Sequence, residues 1–181
     1  MSPESDAAGA PDPGDTPAVG PVPPEPIDGR AALRAALIAW MGEAAERGAR
    51  ELWWCDADLA QWPVGERAWI EQLDRWAGPG RRLIVLVADD APLQRQHPRW
   101  AAWRRTWSHL VDLRVLPADL GGVAPFGWAL CPGHCGVEVL DASLGRARWV
   151  REPAALQRGL QHLRGLAERS RPGIPVNVLG L

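Results

Sequence analysis

The 181-residue chain contains no lysine, and all 20 of its cationic side chains are arginine. Tyrosine is also missing, and phenylalanine occurs once. These absences exclude whole chemistries. There can be no Walker-type phosphate loop, no Schiff base, no lysine general base and no phenolic acid. No apolar run approaches the roughly 18–20 residues of a membrane span, and no basic-then-apolar leader opens the chain, which predicts a soluble, cytoplasmic protein. Three cysteines, Cys55, Cys131 and Cys135, are an odd count without a secretory context, which argues against a disulfide framework.

Tryptophan is abundant, with 11 residues, and the charge is unevenly placed. Residues 1–28 carry six carboxylates (Glu4, Asp6, Asp12, Asp15, Glu25 and Asp28) and no cation. The remainder is therefore +4 within a total of −2. A mildly basic body is compatible with phosphate-bearing ligands but is far from the strongly basic signature of a nucleic-acid binder. Residues 1–28 are rich in Pro, Gly, Ala and Asp, with too few aliphatics to offset their ordering entropy. They predict a disordered acidic tail ahead of a single α/β domain over 29–181.

Within that domain, Leu33, Leu37, Trp40, Met41 and Ala44 recur at helical spacing, predicting a helix from Arg30 to Arg47. Residues 50–55 read as a short buried strand. Trp69, Leu73 and Trp76 form the next helical stripe, and Leu83–Val87 is a continuous aliphatic run suited to a strand covered on both faces. Pro98 opens a helix with Trp100, Trp103, Trp107 and Leu110 on one face, and Val111–Leu116 reads as a third strand. Three further strands are predicted at Phe126–Cys131, Gly136–Leu140 and Arg146–Val150. A helix from Pro153 follows, with Leu156, Leu160, Leu163 and Ala167 aligned. Alternating strands and helices predict an α/β fold with a mixed, mostly parallel sheet and helices on both faces.

The segment His134-Cys135-Gly136-Val137-Glu138-Val139-Leu140-Asp141 places His and Asp seven apart on a strand leading into a turn. This spacing resembles the His-x-Lys-x-x-x-x-Asp signature of the phospholipase-D-like superfamily, with Gly136 at the lysine position. The element order over about residues 30–170 also resembles one half-domain of that family. The resemblance implies His134 as the nucleophile on phosphorus, Asp141 as its support, and a homodimer to supply two histidines. The missing lysine would cost an electrostatic stabiliser worth about 10²–10³ in rate. Arg146 or Arg148 could replace its charge but not its compact shape. The expectation is a catalytically inactive phospholipase-D-like domain that binds a phosphate-containing ligand or a protein partner.

Other constellations give alternatives. Asp56, Asp58, Asp89 and Asp90 follow predicted strands directly, where α/β sheets place ligand sites, and could hold Mg²⁺ for a phosphohydrolase. A strand followed by Asp-x-Asp resembles phosphatases of the haloacid-dehalogenase type. The same residues are equally at home in turns and at helix N-caps. Cys131-Pro132-Gly133-His134-Cys135 is an incomplete half of a zinc site and has the wrong order for haem attachment, so no cofactor is implied. Arg95, His97, Arg99, Arg104, Arg105 and His109 form a carboxylate-free span interleaved with Trp, which suggests a weak nucleic-acid-binding module. Arg99 and Arg105, together with Arg146 and Arg148, are the candidate phosphate-binding residues. The Trp stripe of that span is the ordinary pattern of a helix packing on a core. The apolar segment Val176–Leu181 is suited to docking on a sheet edge.

Overall fold

The computed structural model describes residues 25–118 and 127–175. The chain begins with β1 (Glu25–Ile27) and α1 (Arg30–Glu46), followed by β2 (Glu51–Asp56), α2 (Arg67–Trp76) and β3 (Arg82–Val87). Two short helices, α3 (Ala91–Gln96) and α4 (Pro98–Thr106), lead through a 3₁₀ turn to β4 (Val111–Val115). Three strands follow, β5 (Gly127–Cys131), β6 (Cys135–Asp141) and β7 (Arg146–Val150), then α5 (Pro153–Arg169) and β8 (Arg171–Pro172). Together the strands form one eight-stranded sheet in the order β1-β7-β6-β5-β2-β3-β4-β8.

The mixed α/β class is as expected, but the balance of strand directions differs. Only β2, β3 and β4 run parallel, and the other five of the seven pairings are antiparallel. The reason lies in the connections. Parallel neighbours need a crossover of a dozen or more residues, and the links from β5 to β6 and from β6 to β7 are too short for one.

Three of the residues expected in the tail, Glu25–Ile27, form a strand that pairs antiparallel with β7. Ile27 anchors this strand by burying its side chain in the core, and Pro26 is tolerated because β1 lies at the sheet edge. Residues 1–24, Phe126 and Val176–Leu181 lie outside the described residues. Among the described residues no helix is long and apolar enough to cross a membrane.

Helices cover both faces, unequally. The crossovers from β2 through β4 step in one direction along the sheet, so right-handed connections put their helices on one face. There Leu37 and Trp40 of α1, Trp69 and Trp76 of α2, and Trp100 and Trp103 of α4 pack on Trp54, Leu83 and Val85. The Trp residues form a contiguous cluster, with ring centroids of Trp54–Trp69, Trp54–Trp100 and Trp100–Trp103 at 5.1, 5.2 and 5.3 Å. Aromatic pairs at such separations add to the area they bury. The opposite face carries α5, which returns the chain across the sheet from β7 to β8. It buries Leu156, Leu160 and Leu163 against Trp53, Ile84, Leu86, Trp128 and Leu130.

Candidate functional site

Strand β6 carries the motif-like segment, and its two ends are set by turns. At the first, Gly133 takes a φ of 74°, which glycine adopts without strain, and Pro132 precedes it. The backbone N–H of His134 closes this turn on the carbonyl of Cys131 at 3.1 Å. His134 is exposed there. At the other end Asp141 accepts hydrogen bonds from the Ser143 hydroxyl at 2.6 Å and the Leu144 N–H at 3.0 Å. These donors, Ser143 foremost, hold its carboxyl below the usual range. Strand geometry puts His134 and Asp141 about 20 Å apart. They open into different cavities.

Gly136, the residue that the sequence resemblance sets against the family's lysine, faces α5 at close quarters. A Cβ on Gly136 would lie 3.1 Å from Cζ3 of Trp128 and 3.2 Å from both the Ala129 carbonyl and Cδ1 of Leu130. The same indole meets Gly159 of α5, where a Cβ would stand 3.2 Å from the ring. The Trp128 ring thus packs against both glycines, and a Cβ at either position would be in tight contact with it.

His134 instead opens onto a cavity of about 300 Å³ lined by Arg47, Gly48, Ala49, Arg50, Glu51 and Pro132. The loop from Arg47 to Arg50 joins α1 to β2 and is held from behind. Arg81 donates to the carbonyls of Gly48 and Ala49, and the Trp76 indole donates to Ala49 at 2.6 Å. The carboxylate of Glu51 accepts from the Trp53 indole at 2.6 Å. Glu43, the carboxylate that interacts electrostatically with Arg47, is gripped by both terminal nitrogens of Arg151 at 2.8 and 2.9 Å. That grip holds Glu43 below the usual carboxylate range. The guanidinium groups of Arg47 and Arg50 are exposed, and among the described residues neither is committed to an ion pair.

The aspartates end two adjacent parallel strands, and each serves the backbone near it. Asp56 is buried and accepts from the N–H groups of Asp58 and Leu59 at 3.3 and 3.1 Å and from the Trp62 indole at 3.1 Å. Burial pushes its carboxyl up in spite of these donors. Asp58 accepts from Ala60 at 2.8 Å, and Asp89 accepts from Ala91 at 2.9 Å. Asp90 is buried and accepts from the Ile174 N–H at 2.6 Å. Asp56 and Asp58 do share a cavity of about 510 Å³ with Arg30, Gln61, Asp141 and Ser143. Among the described residues, however, no three His, Cys, Asp or Glu side chains converge as a metal ion would need.

The candidate arginines lie on separate surfaces. Arg99 and Arg105 project from α4, where Arg99 donates to the Gly65 carbonyl at 3.2 Å. Arg146 is exposed at the start of β7. Arg148 pairs with Glu138 and lines a third cavity, of about 290 Å³, beside Trp128, Arg158 and His162. The carboxylate-free span is not one continuous cationic face. Arg104 turns inward, is buried and donates to the Ile174 carbonyl at 2.8 Å. Arg47 and Arg50 escape a sequence reading because they meet His134 only through sheet pairing. The register of β2 with β5 brings residues about eighty positions apart to one end of the sheet.

The strand order, the β5–β6–β7 meander and the returning helix define a class: a phospholipase-D-like α/β fold. No family model and no curated protein matches the chain. Among solved structures it is similar to Nuc, a phospholipase D family member from Salmonella typhimurium, with a TM-score of 0.54 and 10% identity over 83% of this chain and 99% of that one. It is also similar to NucT from Helicobacter pylori, with a TM-score of 0.51 and 7% identity over 80% of this chain and 92% of that one. A third similar structure is TrmBL2, an archaeal chromatin protein with a novel mode of DNA binding, at a TM-score of 0.58 and 12% identity. That match covers 86% of this chain, which spans 56% of the TrmBL2 chain. At these identities the likeness is one of fold.

Proposed function

We propose that the chain is a catalytically silent phospholipase-D-like module that binds a phosphate-bearing ligand at the His134 end of the sheet. The observation that carries this reading is a cavity lined by Arg47, Arg50 and His134, two arginines and a histidine against the single carboxylate of Glu51, which accepts from the Trp53 indole. Guanidinium forks match phosphate oxygens bidentately, and a pair of them around one small cavity is an anion receptor. Cleavage of a phosphodiester asks for more. Gly136 stands where the resemblance would put a lysine, with Trp128 crowding any Cβ there, and Asp141, about 20 Å away, is too far to support the imidazole. Binding without turnover is what these residues support.

The test is calorimetric titration of the full chain with inorganic pyrophosphate. The reading expects saturable binding that weakens at least about tenfold in Arg47→Ala/Arg50→Ala, since a charge-assisted pair contributes about 1.5–3 kcal/mol. Equal affinity in the two proteins overturns the site. Hydrolysis of bis(p-nitrophenyl) phosphate that disappears in His134→Ala overturns the silence. Duplex DNA is the counter-probe. Salt-sensitive DNA retention that survives the double substitution puts the phosphate contacts elsewhere and refutes the assignment.

A further inference from the structure

Cys131 and Cys135 have no part in the anion-binding reading, yet they are placed as a pair. They are the last two partners of the β5–β6 ladder, directly opposite one another, with Pro132, Gly133 and His134 between them. Opposed residues of an antiparallel ladder project to the same face. Both thiols indeed lie in the core on the α1 side, with Ala129 and Val137. Burial first, and then the charge of a Cys131 thiolate, raise the cost of forming the Cys135 thiolate. Opposed Cα atoms in such a ladder stand about 4.5–5.5 Å apart, inside the roughly 4.4–6.8 Å window that a disulfide accepts. Cys55 lies on the other face, in the α5-side core. All three thiols are free in this structure.

We propose that Cys131 and Cys135 form a reversible disulfide, a modification site that clamps the turn presenting His134. The oxidant is a low-molecular-weight disulfide. One cysteine thiolate attacks a sulfur of that disulfide and expels one thiolate. The second cysteine then displaces the other half from the mixed disulfide. Two protein thiols and one small disulfide thus become one protein disulfide and two small thiols. The odd cysteine count is accounted for, because Cys55 is the one left over. Burial raises the Cys131 thiol to about 11 and the Cys135 thiol to about 12, so the attacking thiolate is scarce and the exchange is slow at neutral pH. The state once formed is correspondingly persistent.

Because every cation is arginine, cleavage after arginine puts Cys131 and Cys135 in one peptide, residues 115–146, and Cys55 in another, residues 51–67. The full chain is equilibrated at alkaline pH with glutathione disulfide and glutathione, alkylated, cleaved and weighed. A second sample is unfolded and refolded in the same buffer, so that burial does not limit the rate. In both samples the proposal expects peptide 115–146 to lose two hydrogens and take up no alkyl group, while peptide 51–67 is alkylated. Alkylation of both Cys131 and Cys135 in the refolded sample overturns it. Their lasting conjugation to glutathione, or a cross-link to Cys55, does the same. These outcomes do not depend on whether pyrophosphate binds.

Discussion

Replacing Gly136 with lysine completes the spacing on which the sequence resemblance of β6 rests, and the structure predicts that the substitution destabilises the protein without adding turnover. Gly136 does not have a positive φ, so a side chain is not excluded by backbone conformation. Its cost is steric and electrostatic. The new Cβ meets Trp128, Ala129 and Leu130 at 3.1–3.2 Å, contacts that force the indole or the strand to shift. Overpacking of this kind costs about 1–3 kcal/mol. The ammonium must then either stay near the buried ring, at several kcal/mol, or be dragged out past it. A total near 4 kcal/mol is expected. With a urea slope of about 2 kcal/mol per molar, the unfolding midpoint falls by about 2 M. Gly136→Ala, which adds the Cβ alone, falls by roughly a quarter of that. The assay is urea unfolding followed by circular dichroism, paired with bis(p-nitrophenyl) phosphate turnover. A Gly136→Lys protein that keeps the wild-type midpoint and gains turnover refutes the argument that Trp128 crowds out a side chain at position 136.

The contact of the same indole with Gly159 gives a sign test. Gly159→Ala would ordinarily gain about 1 kcal/mol of helix propensity, but here its Cβ meets Trp128 at 3.2 Å. Thermal unfolding should therefore show destabilisation in the wild type and stabilisation in a Trp128→Leu background. Asp56 has a carboxyl raised by burial, so its contribution is fullest below about pH 4 and is lost as pH rises through its folded value. The destabilisation by Asp56→Ala, which strands three donors, should accordingly shrink as pH climbs, and a constant difference across denaturation curves contradicts this. His97 is depressed by burial, and its Nε2 is buried without a partner, so charging it opposes the fold. Stability should fall as pH drops below about 6.5, and His97→Gln should flatten that limb of the pH–stability curve.

Much of the fold can be read from local pattern. The aliphatic run Leu83–Val87 and the stripes of α1, α2 and α5 all have one dominant period and form the elements it implies. The edge strand β1 was hidden because three residues inside an acidic Pro-rich stretch show no period, and Ile27 alone supplies the anchor. The antiparallel majority follows from hairpin lengths that were visible, but strand order is a long-range property. The aspartates show how a catalytic pattern and a turn pattern coincide. Asp56, Asp58 and Asp89 hold backbone N–H groups two or three residues ahead, as turn residues do. The candidate site was half legible. His134 stood out by motif, whereas Arg47 and Arg50 reach it only because β2 and the β5–β6 hairpin share an end of the sheet.

Phosphorus NMR of a single phosphodiester, bis(p-nitrophenyl) phosphate, tests binding and silence together. Added to the full chain, the diester resonance should shift and broaden, and that change should vanish in Arg47→Ala/Arg50→Ala. No phosphomonoester resonance should grow in over a day. A monoester resonance that grows with the wild type and not with His134→Ala contradicts the account, as does a diester signal that the double substitution leaves unchanged.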